Sequence, residues 1–205
     1  MAKRLPPRSQ TLRQALAQEA ARVMAEHGVR DFLFAKRKAA ERLGIVEGAS
    51  LPRNAEIEAA LAEYQRLFGG DEHARSLQAQ RLIAIEAMRM LHAFQPRLVG
   101  SVLAGTATTH ATVQLHAFAD RAESVGFALM DRGVDYEVSE KQLKMGSDRT
   151  VLQPMIEFEI DGQLIEIVVF SIDGIRQAPT SPVDGRPMRR ADLGAVEALL
   201  AEAAG

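Results

Sequence analysis

Two stretches of the sequence decide the predicted fold: Arg-Leu-Val-Gly-Ser at residues 97–101 and Thr-Val-Gln-Leu-His-Ala-Phe at residues 112–118. The first has the form of a short strand that enters a glycine turn. The second alternates in polarity as a half-buried strand does. A segment of small and polar residues that contains Gly105 joins them. We therefore expect a β-sheet whose first two strands flank a glycine-containing turn.

A β-hairpin is predicted further along the chain. Apolar residues alternate with glutamates over residues 156–160, and Asp161-Gly162 is a strong signal for a tight turn. The returning strand, residues 164–170, is apolar except for Glu166. A carboxylate in such a strand needs a partner or a solvated pocket. Alternatively, the strand lies near an edge of the sheet and Glu166 is exposed as a guard against aggregation.

Helical patterns dominate the chain before the sheet. Apolar residues recur at helical spacing in four segments, and Thr11, Asp31 and Asn54 are candidate N-caps of the first three. Helices followed by strands indicate an α+β protein. We expect an N-terminal helical region over residues 1–95, packed on a small mixed β-sheet within an α+β domain over residues 96–205.

The composition narrows the classes of function. The 205 residues include no cysteine, which excludes disulfides, thiolate zinc sites and cysteine nucleophiles. No apolar run is long enough to span a bilayer, and the basic start lacks the apolar core of a signal peptide. We therefore expect a cytoplasmic protein that has no membrane partner.

Charge is unevenly distributed along the chain. Residues 1–45 hold ten Lys and Arg against four Asp and Glu, although the whole chain has a net charge of −2. Residues 35–45 have the small and basic residues of a helix-turn-helix motif, but the segment that follows them is longer than the tight turn of that motif. Two interpretations of residues 30–45 follow. Either they bind nucleic acid or an acidic partner, or they form a basic face that the acidic remainder of the chain balances.

Val99, Gly100 and Ser101 are followed by Gly105 and then by a polar strand. This succession resembles the signature of the DNA polymerase beta-like nucleotidyltransferases, including their small bacterial members. In that family the glycine–serine turn lets backbone N–H groups approach the phosphates of a nucleotide. The resemblance covers residues 97–170. It implies a nucleotidyltransferase-like sheet in which Gly100, Ser101 and Gly105 bind the phosphates.

The same resemblance implies where a magnesium site would lie. The family has an Asp-x-Asp pair on the strand after the glycine turn and a third carboxylate on a neighbouring strand. Thr112 and Gln114 occupy the positions of the paired aspartates, and the third carboxylate falls at Glu166. His116 lies on the same strand face and is a further cleft candidate, although His110 and His116 are both more typical of hydrogen-bonded structural residues.

A loop near the C-terminus is the other candidate for binding. Residues 181–190 contain an Asp-Gly turn, prolines and three arginines, Arg186, Arg189 and Arg190. Arginines at this position are suited to meet phosphates across a cleft. The alternative is that they are solvated charges ahead of the last helix.

Three functions are consistent with these features. The first is a nucleotidyltransferase-like protein with impaired catalysis that binds a nucleotide or a protein partner. The second is an active nucleotidyltransferase with an atypical metal site that uses Glu166, together with His116 or Asp120. Mg²⁺ is a cofactor only in that case. The third is a basic regulatory module that binds nucleic acid through residues 30–45.

Overall fold

The computed structural model describes residues 7–29, 31–45, 51–109, 111–146 and 149–203. The chain divides into two compact units. The helical unit comprises Met1–Ala74 with Pro182–Asp184, and the sheet unit comprises Arg75–Ser181 with Gly185–Gly205. Among the described helices, none combines the length and the apolar character that crossing a membrane requires.

Three helices begin the helical unit: α1 (Pro7–His27), α2 (Phe32–Arg42) and α3 (Asn54–Tyr64). The cap predicted for α2 is confirmed, since Asp31 Oδ1 accepts from the backbone N–H of Leu33 at 2.7 Å and of Phe34 at 3.2 Å. The other two caps are wrong. Thr11 lies inside α1, which begins earlier at a proline, and Asn54 is the first residue of α3 and follows its N-cap.

The three helices bury small and branched side chains against one another. Alanines allow their backbones to approach closely, while leucine and isoleucine supply most of the buried apolar area. The core of the helical unit includes Leu16, Ala20, Ala35, Ala39, Ile57 and Leu61.

Helix α4 (Gly70–Met90) is shared between the units. A π-helical turn, Gln65–Gly69, connects α3 directly to it. From Arg75 onward α4 belongs to the sheet unit, where Ala84 and Met88 lie in the same core as the strands. The division therefore falls before Arg75, whereas the sequence placed it at residue 95, because the apolar face of α4 is part of the core of the sheet.

The sheet has five strands in the order β1 (Arg97–Val99), β2 (Val113–Phe118), β5 (Gln163–Phe170), β4 (Arg149–Ile160) and β3 (Tyr136–Met145). Strands β2 and β5 are parallel, and the other neighbours are antiparallel. The predicted α+β class with a mixed sheet is confirmed. The remaining α-helices of the described chain are α5 (Gly100–Ala104), α6 (Glu123–Met130) and α7 (Leu193–Ala203).

The predicted turn between β4 and β5 is confirmed. Asp161 and Gly162 have φ values of 51° and 75°, and positive φ at both central residues is characteristic of a type I′ hairpin. This turn fixes the register of the two strands, so that Ile160 lies opposite Gln163 and Glu157 lies opposite Glu166.

Strand alternation gives the central part of the sheet two different faces. On one face Leu115, Ile165 and Ile167 are fully buried in a core shared with α4, α5, α6 and α7. The opposite face of β2 and β5 is mixed in polarity, and we call it the site face. It consists of Gln114, His116 and Phe118 from β2 and Glu166, Val168 and Phe170 from β5.

We predict that Leu115→Ala lowers the free energy of unfolding by about 2–5 kcal/mol, because Leu115 is 0% exposed at the centre of the sheet. Leu152→Ala is the matched control. Leu152 is 61% exposed, so its truncation is expected to change stability by less than about 0.5 kcal/mol. Urea unfolding of both variants measures the difference, and equal losses would contradict the assignment of the core.

Candidate functional site

Glu166 lies at the centre of the site face. The register places it opposite Gln114 on β2 and Glu157 on β4, and the residue is only 9% exposed. Lys141 Nζ lies 2.6 Å from Glu166 Oε2, and Gln114 Nε2 donates to the same oxygen at 3.1 Å. The idea that Glu166 is an exposed guard at a sheet edge is therefore wrong, because β5 is an interior strand and the carboxylate is paired.

Lys141 is the residue of this site that sequence reasoning missed. It belongs to the edge strand β3, and its own cross-strand neighbour is Gln153 on β4. Strand β4 lies between β3 and β5, so the lysine side chain has to extend across β4 to reach Glu166. No local pattern indicates this pairing, which becomes visible only when the order and register of three strands are known.

Gly100 lies beside Gln114 at the start of α5. Its φ is +73°, which favours glycine, and a Cβ at this position would overlap Gln114 Oε1. The pairing of Val99 with Gln114 across β1 and β2 brings the two residues together. Gly100, Gln114 and Glu166 therefore form one continuous group.

The next residues of the glycine turn lie further along α5. Ser101 is half-buried, and its carbonyl accepts from the backbone N–H of Thr106 at 3.0 Å. Gly105 ends the helix with a φ of +80°. Thr112 is buried just before β2, and its Oγ1 makes no hydrogen bond within the part of the chain that the structure describes. Thr112 therefore does not take part in the hydrogen bonds around Glu166.

His116 occupies the next position on the site face and is bound to Arg190. Arg190 Nε donates to His116 Nδ1 at 3.0 Å, and Arg190 Nη1 donates to the carbonyls of Gly174 and Ile175 at 2.9 and 3.2 Å. Because Nδ1 accepts, the neutral imidazole carries its proton on Nε2. This contact supports the structural role that the sequence favoured for His116.

Two aromatic rings complete the surroundings of Arg190. Its guanidinium carbon lies 5.0 Å from the ring centre of Phe118 and 5.1 Å from that of Phe170. Cation–π attraction of this kind stabilises a partly desolvated guanidinium. Arg190 thus binds the segment after the proline-rich loop to the sheet, where the backbones of Ala191 and Leu98 also exchange two hydrogen bonds at 2.8 and 2.9 Å.

The electrostatics of this cluster keep His116 neutral. Burial, and then the positive charges of Arg190 and Lys141, lower the pKa of His116 from 6.5 to about 3. Burial, and then the charge of Arg97, lower the pKa of Arg190 to about 10. Arg190 therefore stays protonated at neutral pH, whereas His116 is a hydrogen-bond acceptor and is not available as a general acid.

The other candidates are exposed. Arg186 and Arg189 are exposed on the loop before α7, and Asp120 is exposed after β2. Of the loop arginines, the structure brings only Arg190 to the site face. His110 lies outside the described residues.

Most of the lysines and arginines that the structure describes in residues 30–45 form hydrogen bonds or ion pairs within the helical unit. Lys36 donates to Asn54 Oδ1 at 2.7 Å, Lys38 pairs with Glu41 at 2.9 Å, and Arg42 pairs with Glu19 at 3.1 Å. Arg37 is exposed, and Arg30 lies outside the described residues. These pairings favour the interpretation of residues 30–45 as an internally balanced face over that of a nucleic-acid interface.

We predict that Gly100→Ala destabilises the protein more than Gly133→Ala does. Both glycines have positive φ, near 70°, so both variants carry the left-handed backbone penalty of about 1–2 kcal/mol. Only at Gly100 does the new methyl group meet another side chain, Gln114, whereas nothing lies within 4 Å at Gly133. Chemical denaturation should show an additional loss of about 1 kcal/mol for Gly100→Ala, and Gln114→Ala in the same chain should recover it.

A second prediction concerns the pH dependence of stability. The folded state keeps His116 neutral down to about pH 3, whereas the unfolded chain takes up the proton near pH 6.5, so stability falls as the pH is lowered between these values. The slope contributed by one such group is at most about 1.4 kcal/mol per pH unit. His116→Gln, which keeps an acceptor for Arg190, should have a shallower slope in denaturant titrations across this range. Identical slopes would contradict the assignment.

The described residues of the site are not arranged as a preformed metal centre. Within the described residues, no group of three or more His, Cys, Asp and Glu is arranged to hold a metal ion. Comparisons with protein-family models, with curated proteins and with solved structures find no match to this chain. The functional conclusion therefore depends on the geometry around Glu166.

Proposed function

We propose that this chain is a nucleotidyltransferase-like protein that binds a nucleotide and is impaired in metal-dependent transfer. One observation carries the proposal: Glu166, at the position of the third carboxylate, is paired with Lys141 at 2.6 Å. The lysine ammonium supplies a positive charge at the place where the resemblance puts a magnesium ion. A bound cation would have to displace this ammonium to reach the carboxylate.

The donor groups around Glu166 are unsuited to magnesium. Mg²⁺ requires near-octahedral coordination by oxygen atoms and is usually held by carboxylates. Gln114 uses its amide N–H₂ group as a donor to Glu166, and His116 Nδ1 accepts from Arg190. Glu157 lies opposite Glu166 on β4, but Lys141 already neutralises Glu166, and an amide donor and an occupied imidazole lie beside it. This group is therefore a poor site for the ion.

The same groups are better suited to a phosphate-bearing ligand. Lys141 keeps a third of its side chain exposed, so its ammonium has access to solvent while it pairs with Glu166. Gly100 brings the backbone at the start of α5 against Gln114, whose Oε1 occupies the space that a Cβ would take. Lysine binds phosphate as a compact point charge, and this does not require a metal ion.

We predict that a nucleoside triphosphate raises the melting temperature of the protein equally with excess MgCl₂ and with excess EDTA. Magnesium independence is expected because Lys141 already supplies the local positive charge. Thermal-shift and calorimetric titrations of the full chain with ATP, GTP, CTP and UTP measure the effect. The absence of a response to every nucleotide would overturn nucleotide binding.

A parallel assay separates impaired from active transfer. A radiolabelled triphosphate incubated with the protein and Mg²⁺ should yield no transfer of the label. If transfer occurs and Glu166→Gln abolishes it, the atypical active enzyme is correct and impaired catalysis is not. Glu159→Gln is the matched control, since Glu159 is an exposed carboxylate of the neighbouring strand β4.

A further inference from the structure

Arg81 is a buried cation that has no acidic partner among the described residues. It lies on α4 within the sheet unit and is only 9% exposed. Its one hydrogen bond to the described chain runs from Nε to the carbonyl of Val102 at 3.3 Å. Burial alone lowers the pKa of Arg81, with no contribution from a neighbouring carboxylate.

This environment is unusual for an arginine. Arginine is almost never fully buried unless it is paired, because desolvating its charge is costly. One long hydrogen bond to a neutral carbonyl leaves the Nη1 and Nη2 groups without an acceptor in the described chain. These groups form the part of the guanidinium fork that binds carboxylate or phosphate oxygens in a bidentate manner.

The turn at Gly105, which ends α5, lies directly beside this fork. A Cβ at Gly105 would lie 3.8 Å from Arg81 Nη2, so the backbone of the turn approaches the guanidinium where no side chain intervenes. The φ of Gly105 is +80°, a conformation that favours glycine. The turn at Gly105 therefore lies in van der Waals contact with the guanidinium, and the side chain of Leu77 borders the same place.

The adjacent residue of α4 fixes this turn in place. Gln80 is 3% exposed, and its Nε2 donates to the carbonyls of Thr108 and Thr109 at 2.8 and 3.3 Å. These two bonds hold the segment after Gly105 against the helix that carries Arg81. A cation held on a helix and a turn attached to that helix make a preorganised pair of binding elements.

We propose that Arg81 binds a phosphate-type oxyanion through Nη1 and Nη2 at the Gly105 turn. The identification of this oxyanion as a phosphate of a nucleotide rests on the function proposed above, whereas the anion site itself rests on Arg81. An oxyanion at this position supplies the negative charge that the buried guanidinium lacks. Charge-assisted hydrogen bonds then contribute to its affinity.

The test is calorimetric titration of the full chain with inorganic pyrophosphate and with ATP, both in EDTA. We expect pyrophosphate to bind the wild type and Arg81→Met to weaken this binding by about 10-fold to 100-fold, as the loss of a charged hydrogen-bond pair implies. Arg132→Met is the matched control. Arg132 is exposed, its Nη1 donates to the carbonyl of Ala128, and its replacement makes the same change in charge. The affinity of the Arg132→Met variant for pyrophosphate should equal that of the wild type.

The outcomes separate this inference from the proposed function. If pyrophosphate binds and Arg81→Met weakens it while ATP does not bind, the anion site stands and nucleotide binding fails. If ATP binds and Arg81→Met weakens it, both stand. If ATP binds wild type and Arg81→Met equally, or if neither probe binds the wild type, the anion site is overturned.

A structural role for Arg81 gives a different result. In that case Arg81→Met lowers stability and leaves the affinity for both probes unchanged. If Arg81→Met does not fold, Arg81→Lys carries the test, because lysine keeps the charge and lacks the planar fork. A several-fold loss of pyrophosphate affinity in that variant supports the site, and wild-type affinity overturns it.

Discussion

A carboxylate in an interior strand has to be neutralised or hydrogen-bonded, and Glu166 meets this requirement through Lys141 and Gln114. Such a buried pair contributes little net stability, but the loss of one partner leaves the other as an uncompensated charge. The pair therefore fixes which residues can occupy positions 114 and 141. Glu166 already lies opposite Glu157 on β4, and an aspartate at position 114 would add a further negative charge where the amide of Gln114 now donates.

The topology of the sheet explains why a lysine from an edge strand reaches this position. Strands β2 and β5 are parallel neighbours, and a parallel pair needs a crossover connection between them. The chain makes that connection through α6, β3 and β4, and the β3–β4 hairpin then joins the sheet beside β5. The connection that allows Gln114 to lie beside Glu166 thus also delivers Lys141.

Local features of the fold could be predicted from the sequence because short-range interactions determine them. The Asp31 cap and the Asp161-Gly162 turn depend on residues that are adjacent in the chain. The apolar neighbours of Glu166 left two alternatives, a partnered or solvated carboxylate and an exposed one near a sheet edge. The identity of the partner did not follow from the sequence, since Lys141 is separated from Glu166 by an intervening strand.

The remaining differences have the same physical origin. Thr11 satisfies the pattern of an N-cap, but a favourable continuation of α1 to Pro7 overrides it. Helix α4 was grouped with the helices before it, although its buried face belongs to the core of the sheet. Arg190 was one of the candidate residues of the loop, but its contact with His116 involves a separation of 74 residues in the chain. Periodicity describes one element, whereas these outcomes depend on which elements pack together.

Two partly desolvated arginines of the sheet unit, Arg81 and Arg190, show why anion affinity is expected at only one of them. Arg190 distributes its charge over two aromatic rings, two carbonyls and the neutral His116, and these groups together replace much of its hydration. Arg81 has one carbonyl at 3.3 Å. Arg190 Nη2 also has no hydrogen-bond partner in the described chain, but the aromatic rings and the other contacts of Arg190 already compensate its charge. Arg81 has fewer such contacts and leaves both Nη groups unused, so it gains more from an added oxyanion. Arg81, rather than the arginines of the loop, is therefore the residue through which the sheet unit attracts a phosphate.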